Sequence, residues 1–399
     1  MKLKEYHALK DKEKDMQNFV YYNPVRIVFG KGTISSISEL IPKDKKVMMV
    51  YGGGSIKKNG VYEQVKQALK GYKIVEFSGI EPNPAYETCM DAVKIVKEEK
   101  IDFLLSVGGG SVLDGTKFIA AAAKFEGGDP WKILSECAEI ESALPLASII
   151  TLPATGSEMN ALAVISKKAT AEKFALCSWK VAPVFSIIDP ETTYSLPRKQ
   201  VVNGLVDTFV HVLEQYVTFN VNSPLQDRQA EAILNTIVEI SDDVLNKAND
   251  YESRANFFWC ATQGLNSLIA CGVPQDWTTH KIGHELTALY GIDHGESLAI
   301  VLPRVWEYNL ELKKEKILQY GKRVFDISGK DSGKTAMKII DTTEKFFLKL
   351  GIKTKLSDYG IDSRDAAEKI SARFESRATK LGEKGQLLPK DVKKILLNC

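Results

Sequence analysis

A chain of 399 residues with 44% hydrophobic residues, 26% charged residues and a formal net charge of +2 has the makeup of a soluble globular protein and the length for two domains. The near-neutral balance gives no pointer to nucleic acid or to an acidic membrane surface. No apolar run reaches the ~18–20 residues that span a bilayer, and the N-terminus lacks the apolar core of a secretory signal. Six scattered cysteines without a C-x-x-C pair fit reduced thiols in a cytoplasmic protein.

In chain order, residues 1–15 are mostly charged and read as an extension, with His7 solvated. Val25–Phe29 reads as a short strand, turned by Gly30-Lys31-Gly32 into a helix near Thr33–Leu40. Lys46–Tyr51 is a buried-type strand that runs into Gly52-Gly53-Gly54-Ser55. A helix near Gly60–Leu69, the strand Lys73–Phe77, the turn Glu81–Pro84 and a helix to about Lys100 follow. The strand Phe103–Val107 runs into a second Gly108-Gly109-Gly110-Ser111, and a helix carrying Asp114 comes next. Ala147–Leu152 ends in Thr151-Leu-Pro-Ala-Thr155-Gly-Ser157-Glu158, and Val184–Ile188 is the last strand. Strands alternating with helices predict a parallel sheet with crossover helices. From about Arg198 the pattern is helical: Val201–Thr218, Leu225–Asn246, Glu252–Ala270, Thr278–Leu289, Glu315–Phe325, Lys334–Leu350 and Ser363–Thr379. The expected organisation is an α/β dinucleotide-binding domain over 16–190 and an all-α domain over 191–399.

Two strands ending in the same GGGS let backbone approach a phosphate closely, with a helix N-terminus presenting free N–H groups. Ligands of such sheets bind at that strand edge, although the spacing is not G-x-G-x-x-G. Asp114 either reaches the ligand or complements the dipole of its own helix. The hydroxyls of Thr151, Thr155 and Ser157 either bond a cofactor or cap a helix. The first loop has no acid until Glu63, and Lys57 and Lys58 stand nearby. That pattern leaves room for a 2′-phosphate and points to NADP, with NAD the alternative.

The chain has five histidines, and four of them group with one aspartate. Asp207 and His211 are four residues apart on one expected helix, and His280 and His284 are four apart on another, so each pair shares a face. His294 follows just past Tyr290-Gly291, where the chain can turn back. Imidazoles with a carboxylate suit Zn, Fe and similar divalent metals. The spacing of His280 and His284 is also that of the zinc-protease helix, but the glutamate needed after the first histidine is Lys281 here, which argues against hydrolysis.

These residues together resemble the iron-containing alcohol dehydrogenase family, in its butanol dehydrogenase and NADPH-dependent aldehyde reductase branch. The stretches that carry the resemblance are NPVRIVFGKG (Asn23–Gly32), GGGSIKKNGVY (Gly52–Tyr62), EPNP, VGGGSVLDGTK (Val107–Lys117), TLPATGSEMN (Thr151–Asn160), NGLVDTFVHVLEQY (Asn203–Tyr216) and GVPQDWTTHKIGHELTALYGIDHG (Gly272–Gly295). The resemblance implies a dehydroquinate synthase-like architecture. It implies that Asp207, His211, His280 and His294 bind one divalent ion, Fe(II) or Zn(II), with His284 beside the metal as a proton relay. Gly52, Gly53, Gly54, Ser55, Gly108, Gly109, Gly110, Ser111, Asp114, Thr151, Thr155 and Ser157 would line the cofactor, and Lys173 would approach its nicotinamide end. The implied reaction is hydride transfer between NAD(P)H and a small aldehyde or primary alcohol, in a homodimer. A polyol dehydrogenase of glycerol type is the alternative within the same fold. Trp277, Phe257 and Trp259 are candidate pocket walls, with core packing the commoner role of aromatic residues on helices. Cys271 stands close to the metal-binding helix.

Overall fold

The computed structural model describes residues 15–399, so the charged extension expected over 1–15, apart from Asp15, lies outside the described residues. Two compact units emerge. One comprises Asn23–Val201 with Asn246–Thr262. The other comprises Val202–Leu245 and Gln263–Cys399, with residues 15–22.

The first unit holds eight strands among the described residues: β1 Arg26–Phe29, β2 Lys46–Tyr51, β3 Lys73–Phe77, β4 Phe103–Gly108, β5 Leu146–Ile150, β6 Leu162–Lys167, β7 Glu172–Cys177 and β8 Phe185–Ile188. Six form one sheet in the order β1-β8-β5-β4-β2-β3, parallel throughout. Between its strands lie the helices α1 Val61–Ala68, α2 Tyr86–Glu98 and α3 Gly110–Ala122. β2, β4, β5 and β8 are buried along nearly all their length, as expected of parallel strands covered on both faces. The pleat divides their side chains. Met48, Val50 and Leu104 pack with Val112 and Phe118 on one face. Val47, Met49 and Leu105 pack with Val61, Val65 and Leu69 on the other.

The six expected strands are all present. The antiparallel hairpin β6–β7 was not expected from the sequence. Its strands are half-buried and carry Lys167, Glu172 and Lys173 among short apolar stretches, so they lack the continuous apolar runs of the main sheet.

The remaining long helices are α4 Arg198–Tyr216, α5 Pro224–Asn246, α6 Tyr251–Gly264, α7 Thr278–Tyr290, α8 His294–Tyr308, α9 Leu310–Val324, α10 Ser332–Leu350, α11 Ser363–Ser376 and α12 Pro389–Leu397. Helix α6 ends at Gly264 rather than Ala270, because the chain turns there: Ser267 takes φ +73° and Asn266 Oδ1 accepts from Leu268 N at 3.0 Å. Helix α8 was missed. It is buried on nearly every side from Gly295 to Trp306, so it has no amphipathic period, and it contains Pro303. The short α12 was missed as well. Among the described residues no helix is long and apolar enough to cross a membrane.

Candidate metal centre and nucleotide loops

Three helices of the second unit carry the acid and histidine residues. Asp207 and His211 project from α4, His280 and His284 from α7, and His294 is the first residue of α8. Gly291 closes α7 in the left-handed conformation, at φ +69°. Two residues later Asp293 and Glu296 form a capping box that starts α8. The reversal is held tightly. Asn203 Nδ2 donates to Asp293 Oδ2 at 2.9 Å, and a Cβ on Gly295 would lie 2.8 Å from the Asn203 backbone. Only glycine lets α8 approach α4 closely enough to bring His294 beside Asp207.

The result is convergence on one atom. Asp207 Oδ1 lies 3.5 Å from His211 Nε2, 3.5 Å from His280 Nε2 and 3.6 Å from His294 Nε2. Ligand atoms of Asp207, His280 and His294 all fall within 4.8 Å of one another. His211 stacks on His280 with ring centroids 4.5 Å apart. Asp207, His211 and His280 are buried. His280 Nε2 has no hydrogen-bond partner among the described residues, although it is buried. A buried nitrogen left unbonded, facing a carboxylate oxygen and two further imidazoles, fits a divalent cation of the Zn or Fe type. Burial opposes charge on His280, yet Glu214 and Asp207 raise its pKa to about 9. His284 sits at the edge of this group, its ring 6.2 Å from His280 and 5.1 Å from His294. Trp277 stands edge-on to His211 and His280, at 6.2 and 5.3 Å. Of the other two aromatic candidates, Phe257 is core, whereas Trp259 is exposed and packs on Phe29. The Cys271 thiol donates to Ser267 O, and burial pushes its pKa up, which lowers its reactivity.

The sequence reading missed what stands behind His280. Glu214 bonds His280 Nδ1 and accepts from Thr279 N at 2.7 Å. Next to it, Asp276 Oδ1 accepts from Thr278 N at 3.1 Å. Its Oδ2 lies 2.8 Å from the buried Lys313, which also pairs with Glu383 at 2.7 Å. Glu214 follows His211 by three residues and so shares its helix face, a signal open to a reader of NGLVDTFVHVLEQY.

In the first unit the two GGGS loops follow β2 and β4, which are neighbours in the sheet. From β2 the chain moves outward to β3, then returns to place β4 on the other side of β2. The loops therefore flank a reversal of strand order, the position where such sheets take nucleotides. The third candidate loop follows β5, beside β4. A Cβ on Gly53 would meet nothing within 4 Å, whereas one on Gly110 would run into Thr155. Gly54 has φ +98°. Several polar candidates are engaged within the fold. Ser111 Oγ accepts from Asn83 N at 3.3 Å, and Lys173 Nζ donates to Asn83 Oδ1 at 2.8 Å. Asp114 accepts from Ser157 Oγ at 2.7 Å and from Val164 N at 2.9 Å. Thr155 Oγ1 accepts from Ser157 N at 3.2 Å, Thr151 is buried, and Ser55 opens a one-turn helix. Lys117, fully buried, donates to the carbonyls of Ser157, Asn160 and Leu162 at 2.7–3.0 Å and so shapes the third loop. An acid does stand beside β2: Glu76 on β3 accepts from Tyr51 Oη at 3.1 Å, Tyr62 Oη at 2.8 Å and Lys66 at 3.0 Å.

A doubly wound sheet with glycine loops at its reversal, and a helical unit that gathers one carboxylate and three imidazoles, define a dinucleotide-binding protein with a metal centre. Residues 24–190 match the family described as iron-containing alcohol dehydrogenase, and residues 201–398 match its C-terminal part. The chain belongs to the iron-containing alcohol dehydrogenase family. It is 53% identical over 370 residues to the NADPH-dependent aldehyde reductase YqhD of Escherichia coli, covering 92% of this chain and 96% of that one. It is 40% identical to NADH-dependent butanol dehydrogenase A of Clostridium acetobutylicum, covering 87% and 90%. The crystal structure of Escherichia coli YqhD superposes with a TM-score of 0.95 over 96% of this chain and 99% of that one, at 51% identity. The NADH-dependent butanol dehydrogenase A of Thermotoga maritima gives 0.91 at 38% identity, covering 96% and 99%.

Proposed function

We propose that this protein is a metal-dependent oxidoreductase that transfers hydride between NADP(H) and a small aldehyde or primary alcohol, with aldehyde reduction the cellular direction. The observation that carries the reading is the convergence of three imidazole Nε2 atoms on Asp207 Oδ1. Residues 191–399 supply the metal ligands Asp207, His211, His280 and His294. Residues 16–190 supply the cofactor loops: Gly52–Ser55, Gly108–Ser111, and Thr151, Thr155 and Ser157, with Asp114 and Lys173 shaping their surroundings. A bound Fe(II) or Zn(II) supplies Lewis-acid polarisation of the substrate oxygen. The glycine loops would hold the phosphates of a dinucleotide whose nicotinamide supplies the hydride, and His284 would relay a proton to the substrate oxygen. NADP is favoured because the only acid beside β2 described above, Glu76, is already engaged by two tyrosines and a lysine. Relatives of both preferences exist, so the cofactor is the part most worth measuring. The polyol alternative is not favoured by relatives that are aldehyde reductases and butanol dehydrogenases.

We read the protein as a cytoplasmic homodimer. Phe19, Val20, Tyr21 and Tyr22 are all exposed, between 40% and 66%, and form an apolar stretch for a second copy to cover. The test of the function is the initial rate of NADPH oxidation with butanal on metal-replete protein, with NADH alongside. A clear rate with NADPH and a weaker one with NADH are expected. No rate with a panel of aldehydes and with either metal would overturn the reading.

A further inference from the structure

Helix α4 presents Asp207, His211 and Glu214 on one face, at spacings of four and three residues. The first two turn towards the cluster around Asp207 Oδ1. Glu214 does not. It meets His280 at Nδ1, the ring nitrogen on the other side from the Nε2 that faces Asp207. Its carboxylate is buried, and each oxygen has a partner: Oε1 accepts from Thr279 N at 2.7 Å, and Oε2 accepts from His280 N at 3.3 Å and from Nδ1. Glu214 is thus in no position to be a ligand itself.

Two tasks meet in this one side chain. Thr279 and His280 lie in the first turn of α7, whose N–H groups have no partner within the helix. The residue before the helix, Trp277, supplies no side-chain cap. Glu214 reaches across from α4 and caps α7 in trans, placing a negative charge at the positive end of the helix. In the neutral imidazole that a metal binds, the same carboxylate accepts a hydrogen bond from Nδ1–H. That fixes the ring orientation and leaves the Nε2 lone pair towards Asp207.

We propose that Glu214 is a positioning residue of the metal centre, holding His280 in the tautomer and orientation that a metal ion at Nε2 requires. This inference rests on the ligand assignment under Proposed function. It adds a carboxylate–imidazole–metal arrangement in which the carboxylate and two ligands, Asp207 and His211, come from the same helix. Partners of this kind change metal affinity by about 10- to 100-fold when removed.

The test is zinc affinity, by chelator competition on dialysed full-length protein, for the parent, Glu214→Gln, Glu214→Ala and His280→Ala, at a temperature well below every melting point. Glu214→Gln keeps an acceptor for the helix but loses the charge, and should bind one zinc about 10- to 100-fold more weakly. His280→Ala should lose zinc altogether. If His280→Ala binds zinc like the parent, the ligand reading fails. If His280→Ala loses zinc while both Glu214 variants keep parental affinity and only melt earlier, Glu214 is a helix cap alone and the proposal is overturned. A measurement on the parent guards against variants that do not fold. With histidine labelled by 15N, zinc-loaded protein should show His280 protonated at Nδ1. A proton on Nε2 would refute the proposal outright.

Discussion

Replacing Lys313 by Met tests how the first turn of α7 is held. The Lys313 ammonium is almost fully buried, 2.8 Å from Asp276 and 2.7 Å from Glu383, and it donates to Val217 O at 2.8 Å. Burial opposes its charge, but the two carboxylates outweigh that and hold its pKa above the ordinary lysine value. Met fills a similar volume, so the loss is electrostatic rather than steric. Removing one partner of a buried ion pair costs about 3–5 kcal/mol, because the other charge is left uncompensated. At about 2–4 °C per kcal/mol for a unit of this size, Tm should fall by roughly 6–20 °C. Scanning calorimetry of the parent, Lys313→Met and the double variant Lys313→Met/Glu383→Gln reads this directly. The double variant should recover part of the loss, since it removes one of two carboxylates that would otherwise repel. The pH dependence has a definite sign. Asp276 is held below its ordinary 3.8, so its share of stability is present above 3.8 and is lost as pH falls through the lower folded value. Lys313 is held above its ordinary 10.5, so its share is present below 10.5 and is lost as pH rises past the folded value. Burial holds Glu383 above its ordinary 4.5, so the gap between parent and Lys313→Met should be wide at neutral pH and narrow as pH falls, first as Glu383 and then as Asp276 takes up a proton. A Tm change under about 2 °C, or a gap that widens in acid, would refute this account.

His280→Ala should abolish metal binding and activity together, whereas His284→Ala should lower turnover with the metal still bound; metal analysis beside steady-state rates separates the two. Gly53→Asp adds an acid where a Cβ meets nothing within 4 Å. It should cut kcat/KM for NADPH about tenfold or more through repulsion of a 2′-phosphate while sparing NADH. Unchanged preference would place the 2′-phosphate elsewhere.

The six strands of the main sheet were legible because each is a short apolar run that ends in glycine, proline or a hydroxyl cluster. The paired histidines were legible because four-residue spacing is a local code. Helix α8 was not, because a helix buried all round has no polar face to mark its period, and Pro303 argued against one. The hairpin β6–β7 was not, because its polar residues interrupt both kinds of pattern. Among the cofactor candidates, Gly53 is open, whereas Ser111, Asp114 and Ser157 are hydrogen-bonded within the unit. Residue type at a strand end gave no means of telling a group that faces a ligand from one that ties the loop down.

The metal cluster divides along the same line. Asp207 with His211, and His280 with His284, lie at local spacings, but what orients them comes from far along the chain. Glu214 precedes His280 by 66 residues, and Lys313 reaches Glu383 across 70. Glu214 takes the Thr279 and His280 N–H groups in the first turn of α7, Asp276 takes that of Thr278 just before them, Lys313 pairs with Asp276, and Glu383 pairs with Lys313. Each step satisfies a buried polar group left by the one before, so no member can be removed without exposing the next to an apolar interior. This explains why the arrangement extends well beyond the metal. A helix carrying His280 without these supports would have the right side chain but neither a fixed tautomer nor a capped first turn. It follows that grafting Asp207, His211, His280 and His294 into another scaffold without a counterpart of Glu214 should yield a weak site.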